Sequence, residues 1–582
     1  MSEMPYIGLR PFNEDEADIF FGRDDQANEL LAKIGQQDFI AVIGLSGCGK
    51  SSLIRAGVIP KIQMGFLPQA GVYWRTITLC PGTEPFANLA YALLNEHEDR
   101  GIKKEYETWL QNAGIDVDRA KNCLYGNLRN SSNLQETLNG LNIPEKTNFL
   151  LIVDQFEEIF RFKEHATEEV ENFVRFLLNS SPVKSRVYVL ITMRAEYLGE
   201  CAKFYDLAEK INSGLFLVPR LTPEQLREAI ENPIMVYSGS IDNQLVENIL
   251  NDANNEPDQL PLMQHLLMGM WDKTRYHNFV ETHNSDEPSK FGVHIDETWY
   301  LEWGAGVKKS LSRHLDKFYN NLTNSKKQLV AEYLFRNLVE VRENFPSARR
   351  AAKVSDLVLA LLSWQKLTQQ LDSYEITESS IFKLLESVIE EFRRDGRRFL
   401  EPRVETESKL SRETLINVAH ESVIRQWGKL QEWKKTEQDY ANLYLSLEQD
   451  CERWEKSQKD DDLLKGSKLA QATEWLGKEQ PTAIWAKRYS QKEGDFFRKI
   501  LGFIEESEAQ RLKIINREKA LAQLETAKFR NQLRLRQGIT LLSIGFAGVV
   551  FIGALVTYGL YDQLLTLQGQ RILVHRTEDK LG

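Results

Sequence analysis

The sequence predicts an α/β protein: a parallel β-sheet with helices on both faces, followed by helical units and one apolar helix long enough to cross a membrane. Three observations predict it. Short β-branched runs alternate with helical patterns between Asp38 and Thr192, the β-rich runs thin out after Pro219, and residues 537–561 carry no charge.

The runs DFIAVIG, VYWRTITL, NFLLIVD and RVYVLIT have the length and composition of buried parallel strands. Between the last two, Val170, Phe173, Val174, Leu177 and Leu178 recur at helical spacing and are expected to face the sheet. LTPEQLREAIENP opens a mainly helical stretch to about Asn344, with a polar interruption from Glu281 to Lys290. From Lys353 to Trp433, helices surround the polar hairpin-like segment FLEPRVETESKLSRETLINVAH, the pattern of a small winged helix. Helical patterns then continue to Ser507, and a charged helix without sustained heptads runs through Arg536. The expected domains are therefore 1–215 (sheet domain), 216–350 (helical), 351–435 (winged helix), 436–507 (helical extension), 508–536 (charged linker helix), 537–561 (transmembrane) and 562–582 (tail). There is no internal repeat.

QGITLLSIGFAGVVFIGALVTYGLY, as a helix, spans roughly 35 Å over its last 23 residues, enough for one bilayer crossing. A soluble core helix of that length would normally keep a polar face. Lys528, Arg530, Arg534 and Arg536 precede it, while Asp562 follows with only sparse Arg571, Arg576 and Lys580. Positive-inside bias then puts the bulk of the chain in the cytoplasm and the helix in the plasma (inner) membrane. The start MSEMPYIGLRPF is no secretory signal.

Among the 582 residues, 42% hydrophobic and 27% charged residues are ordinary for globular protein, and a net charge of -11 gives nucleic acid no compositional support. The five cysteines and nine histidines form no zinc, HExxH or disulfide pattern, which fits a reducing compartment.

GLSGCGKSS follows a predicted strand and opens a helix, the context that GxxxxGK[ST] needs to bind phosphate. Gly44, Ser46, Gly47, Cys48 and Gly49 supply a loop of inward backbone N–H groups. Lys50 neutralises the β- and γ-phosphates, Ser51 is a Mg²⁺ ligand, and Ser52 completes the set expected to bind the nucleotide. In NFLLIVDQFEE, Asp154 ends an apolar strand where a carboxylate holds Mg²⁺. Glu157 and Glu158 compete for the role of activating water, with Glu157 preferred. Thr192 and Arg194 are expected to emerge beside the Asp154 strand, with Arg194 sensing the γ-phosphate. Arg23 in FFGR suits a loop against base or ribose. These residues predict a P-loop NTPase using ATP/ADP and Mg²⁺.

The pattern resembles the STAND NTPases, and within them the bacterial novel STAND class often fused to WD-repeat propellers. The resemblance covers residues 6 to about 500. It is carried by YIGLRPFNEDEADIFFGRDD, GLSGCGKSS, WRTITLCPGTEPFANLAYAL, LLIVDQFEEIF, LITMRAEYL, LTPEQLREAIENP, DQLPLMQHLL and INVAHESVIRQWGKLQEW. It implies a helical domain and a winged helix that close over ADP, with exchange for ATP opening the chain and permitting homo-oligomerisation. It also implies Pro261 against the nucleotide and His420 reaching the phosphates. Read alone, His420 is a helix-capping or core histidine. Gln259 stands where the wider class has the glycine of its GxP pattern, and Glu196 where aspartate is frequent.

No propeller, protease, TIR or nuclease module is visible. The expectation is that sensor and effector lie on partner proteins, or that the chain is a truncated relative, or that the membrane helix is itself the effector. The leading functional expectation is a nucleotide-controlled signalling switch reset by slow ATP hydrolysis. The alternatives are a membrane-attached AAA-like ATPase motor with continuous turnover, or an inert scaffold.

Overall fold

The computed structural model describes residues 4–578 except 68–70, 72, 95–100, 140, 145, 162–166, 182–185, 255, 257, 283–291, 303–305, 323, 342–347, 372–374, 395–397, 403–408, 491 and 493–494. Contacts divide the chain into two units, 1–441 and 442–582.

In the first unit, the described residues form a five-stranded parallel sheet. Its strands are β1 (Phe39–Gly44), β2 (Tyr73–Leu79), β3 (Thr147–Val153), β4 (Val187–Arg194) and β5 (Leu215–Leu217), in the order β2-β3-β4-β1-β5. The four strands expected from sequence are present. The fifth, LFL, is too short to show a periodicity, and only its central Phe216 is buried. β1 and β3 are buried along their whole length, which is why they read as unbroken apolar runs. Side chains of β1 alternate between two apolar clusters. Phe39, Ala41 and Ile43 join one with Leu89, Phe173 and Leu177; Ile40 and Val42 join another with Leu30, Leu53 and Ile62. The sheet is thus covered on both faces. In the helix Thr167–Ser180, Phe173, Val174 and Leu177 are core residues and Val170 and Leu178 pack at its margin, as their spacing implied.

Register decides what meets at the strand ends. β4 lies between β1 and β3, with Gly44 opposite Arg194 and Val153 opposite Ile191. The residues after β1, β3 and β4 therefore converge at one edge.

Helices Pro223–Val236, Asn243–Ala253, Gln259–Thr282, Val307–Asn321 and Ser325–Asn337 follow. The first begins with a capping box in which Thr222 and Gln225 satisfy each other's backbone N–H, with Pro223 at the first helical position. Two short strand pairs, Ser240–Ile241 with His294–Ile295 and Val339–Glu340 with Ala348–Arg349, interrupt a stretch expected to be helical. They are too short to register against the helical period. Of the expected polar interruption, residues 283–290 lie outside the described residues. Next, Ala352–Lys353, Leu400–Glu401 and Leu415–Val418 form a small antiparallel sheet beside helices Val354–Ser363 and Glu378–Arg393. The N-terminal segment packs into the core of this helical region: Tyr6, Ile7, Leu9, Phe12 and Ile19 are buried in it, and Tyr6 Oη donates to the Ile230 carbonyl at 2.6 Å.

The helix Gly428–Ser457 carries the chain into the second unit. There Tyr444, Leu447, Trp475, Trp485 and Phe503 are buried, with Tyr444 and Trp485 edge to face at 5.6 Å. The last helix, Phe496–Glu578, is continuous, so the charged segment and the apolar segment share one rod of roughly 125 Å at 1.5 Å per residue. Its apolar stretch has a mean hydropathy of 2.4 and no burial, with Leu541, Phe546 and Phe551 all exposed. It is a candidate membrane span rather than a core helix.

Candidate functional site

The phosphate loop starts where β1 ends. Gly47 and Gly49 have φ of +74° and +92°, conformations most side chains avoid, and a Cβ on Gly47 would come within 3.3 Å of Pro261 Cγ. The loop closes on itself through Lys50, whose Nζ donates to the carbonyls of Gly44 (3.0 Å) and Leu45 (2.9 Å).

Across the sheet edge, Asp154 collects donors. Its Oδ1 accepts from Ser51 Oγ at 2.9 Å and Thr192 Oγ1 at 2.6 Å, and its Oδ2 from Arg55 Nη2 at 3.1 Å. Ser51 and Asp154 make an all-oxygen donor pair of the kind a hard dication takes, so these residues fit Mg²⁺. Glu157 is buried and pairs with Arg194, Nε to Oε1 at 3.3 Å. Burial pushes the Glu157 carboxyl up, against the pull of Arg194 and Lys50. Glu158 instead accepts from the Gly82 backbone N–H at 3.1 Å.

These groups line a cavity of about 500 Å³, a size typical of small-molecule sites. Its other walls are distant in sequence. Leu9, Phe12, Ile19, Phe20, Leu221 and Met263 give an apolar end suited to a base. His420 also lines the cavity; it is the N-cap of the helix Glu421–Gln426, and its Nδ1 accepts from Ser422 N–H at 3.1 Å. With Nδ1 accepting, the proton of the neutral ring sits on Nε2. Burial, then Arg349, Arg425, Arg194 and Lys50, hold its pKa well below the ordinary imidazole value.

Ion pairs hold this wall to the phosphate loop. Ser46 Oγ donates to Glu421 Oε2 at 2.6 Å, and the other Glu421 oxygen pairs with Arg194. Arg425 pairs with the buried Asp258 and donates to Ser46 Oγ at 3.1 Å. Arg349 donates to the carbonyls of Val418 (3.2 Å) and Ala419 (3.0 Å) and to Gln155 Oε1 at 2.9 Å.

The profile of the family described as Novel STAND NTPase 1 matches residues 5–462. The chain belongs to that family. It is a P-loop NTPase, and the family implies nucleotide binding. No curated protein matches it. Among solved structures, it is similar to the ORC2 protein of Aeropyrum pernix in ADPNP–ADP complexes, at 11% identity and a TM-score of 0.34, over 72% of this chain and 95% of that one. Cdc6p of Pyrobaculum aerophilum is similar at 14% identity and a TM-score of 0.28, over 71% and 94%. A Walker-type ATPase of Pyrococcus abyssi is similar at 13% and 0.31, over 72% and 98%. Likenesses this loose say nothing of substrate or partner.

In this STAND NTPase, the structure brings Ser46, Gly47, Gly49, Lys50, Ser51, Ser52, Asp154, Glu157, Glu158, Arg194, Pro261 and His420 to one cavity. Gly44 and Cys48 lie behind it: the Gly44 carbonyl receives Lys50, and the Cys48 carbonyl receives Arg23 at 2.9 Å. Arg23 also lines the cavity, but a second of its donors goes to the Pro219 carbonyl at 2.8 Å, and burial lowers its pKa. His420 is both the helix cap of the plain reading and a cavity residue. Arg55, Asp258, Arg349, Glu421 and Arg425 had no assigned role in the sequence reading. Arg55 follows Ser51 by four residues, a same-face helical spacing that could have found it. Glu421 and Arg425 share that spacing, whereas Arg349 carries no local signal.

Proposed function

We propose that this protein is an ATP/ADP-controlled signalling switch. It closes over ADP, opens and homo-oligomerises when ATP replaces ADP, and is reset by slow hydrolysis. The observation that carries the reading is the bridge from Ser46 in the phosphate loop through Glu421 to Arg194, joining residues 375 positions apart around the place where a γ-phosphate would lie. In the closed form Glu421 neutralises Arg194, and His420 presents a neutral N–H donor to the diphosphate. A γ-phosphate would contest Glu421 for Arg194, so a triphosphate loosens what a diphosphate leaves intact. Lys50 leaves its loop carbonyls for the phosphates, Ser51 and Asp154 hold Mg²⁺, and Glu157 takes the proton of the attacking water. Mg²⁺ supplies charge neutralisation for the phosphoryl oxygens.

On this reading, residues 351–435 act as a winged helix forming the closing wall. Gln537–Tyr561 anchors the chain in the plasma (inner) membrane of a bacterial cell with the NTPase in the cytoplasm. Acid extraction of the purified protein should release stoichiometric ADP, with ATP turned over far more slowly than by a motor. Rapid stimulated turnover, or no bound nucleotide, would overturn the switch. Deleting 537–582 should move the protein from membranes to the soluble fraction with nucleotide binding kept; an unchanged fractionation removes the anchor.

A further inference from the structure

The helix opened by the phosphate loop is not uniformly wound. Lys50–Ser52 is α-helical, Leu53–Val58 is π-helical, and Ile59–Gln63 is α-helical again. A π turn is rare, and such turns concentrate at functional sites, where the extra residue re-aims a side chain. This one is pressed against its neighbours: a Cβ on Gly57 would lie 3.2 Å from Ala27 and from Phe20. Within it sits Arg55, whose guanidinium reaches Asp154 Oδ2. Both Asp154 oxygens are thereby engaged by the chain itself, Oδ1 by two hydroxyls and Oδ2 by a permanent cation. Asp154 is almost wholly buried, with 4% of its side chain exposed, whereas Arg55 keeps 28% and lines the nucleotide cavity.

We propose that Arg55 is a positioning residue that supplies the positive charge at Asp154 when no divalent metal is bound, so that a nucleoside diphosphate is held without metal and Mg²⁺ competes with Arg55 for Asp154. A buried carboxylate without a counter-charge is costly, so a metal-free site needs a resident cation there. A dication drawn to Ser51 and Asp154 is repelled by a guanidinium on the same carboxylate. The partial exposure of Arg55 gives its side chain room to withdraw into the cavity. The inference rests on the nucleotide site proposed above and extends it to how the site depends on metal.

The test measures affinity of the detergent-solubilised full chain for fluorescent ADP and ATP, in EDTA and across a Mg²⁺ titration. Wild type should bind ADP about equally with and without Mg²⁺. Arg55→Gln should lose about tenfold of its ADP affinity in EDTA and regain it with Mg²⁺, while Arg55→Lys keeps most of it. The Mg²⁺ concentration that half-supports ATP binding should fall severalfold in Arg55→Gln. In an Asp154→Asn background, Arg55→Gln should change nothing in EDTA, because the charge it serves is gone. That arm also reads the pairing if the single variant folds poorly. Equal losses in EDTA and Mg²⁺, or no loss in either, would overturn the proposal and leave Arg55 a helix-to-strand tie. Failure of wild type to bind either nucleotide is a different result, which removes the site itself.

Discussion

The two walls of the cavity are held by different forces. One wall is the edge of a parallel sheet, where Gly44, Asp154 and Arg194 end adjacent strands fixed by backbone hydrogen-bond ladders and apolar clusters on both faces. The other has a dry core of its own, with Val418, Val423 and Ile424 buried, but meets that edge through side chains: Glu421 with Arg194 and Ser46, Arg425 with Ser46, and Arg349 with Gln155. A ladder and a dry core resist change as a unit, whereas a few ion pairs around a hydrated cavity can exchange partners. On the proposed switch, the difference teaches where movement belongs: the sheet edge would be the fixed reference, and the ion-paired wall the part that nucleotide releases.

The largest expected effect comes from Glu421→Ala. It leaves Arg194 with Glu157 as its remaining ion-pair partner among the described residues and takes from Ser46 its acceptor. Truncating one partner of a buried pair costs about 3–5 kcal/mol. The second partner of Arg194 keeps the loss near the lower end, about 3 kcal/mol of closed-state stability. Hydrogen exchange should rise at residues 46–52 and 420–426 and stay unchanged in β1, β3 and β4, with faster ADP release. Exchange rising equally through the sheet would erase the distinction between the walls.

Lys50→Ala tests the fixed wall. The change removes one charge from the phosphates and costs about 2 kcal/mol, roughly 30-fold in nucleotide affinity. It should leave the ion-paired wall closed, so the protected amides at 420–426 keep their wild-type exchange in the nucleotide-free protein. Titration calorimetry showing unchanged ATP and ADP affinity would remove Lys50 from the site.

These walls also differ in how well they could be read from sequence. Lys50, Ser51 and Asp154 were legible because the loop is contiguous and β1 and β3 are unbroken apolar runs, so spacing alone puts chemistry at strand ends. The exposed helix at 537–561 was legible by its length without charge. The ion-paired wall was not, because its contacts join residues 167 to 379 positions apart and no local period encodes them. His420 was visible only through resemblance. The π turn that aims Arg55 leaves no mark in LIRAGV, since winding of one turn depends on what packs around it. The role of the N-terminal segment was hidden likewise: Tyr6 and Ile7 are ordinary apolar residues until the helices of 223–282 close on them.

A smaller effect separates the two roles of His420. His420→Asn keeps a helix-capping side chain but loses the ring donor, while His420→Ala loses both. Loss of a cap costs about 1 kcal/mol, and loss of a hydrogen bond to a charged group about 1.5–3 kcal/mol. The Ala variant should therefore release ADP faster than Asn, and Asn faster than wild type. If Asn matches wild type in ADP release, the ring acts as a cap alone.

The smallest expected effect is in pH, and it too distinguishes the walls. His420 has its pKa lowered by burial first and then by Arg349, Arg425, Arg194 and Lys50. His265, in the helical core with its ring nitrogen 3.1 Å from His314, is pushed down to about 3 by burial. A ring whose pKa is lowered by its folded surroundings contributes its full stability above the ordinary value of about 6.5 and loses it as pH falls, because the released ring takes up a proton first. At pH 6 the loss is about 0.8 kcal/mol for each ring that a given transition exposes. Opening at the ion-paired wall exposes His420, which lines the cavity, while global unfolding exposes both rings. In the nucleotide-free protein, opening of that wall, read as hydrogen exchange at 420–426 corrected for its intrinsic rate, should accordingly become about fourfold more frequent from pH 7.5 to 6 through His420, and that part should vanish in His420→Asn. The melting transition of His420→Asn should still weaken toward pH 6, through His265. A wild type and His420→Asn with the same pH dependence of this exchange would mean that the ring stays buried when the wall opens, and that the wall carrying it is not the one that moves.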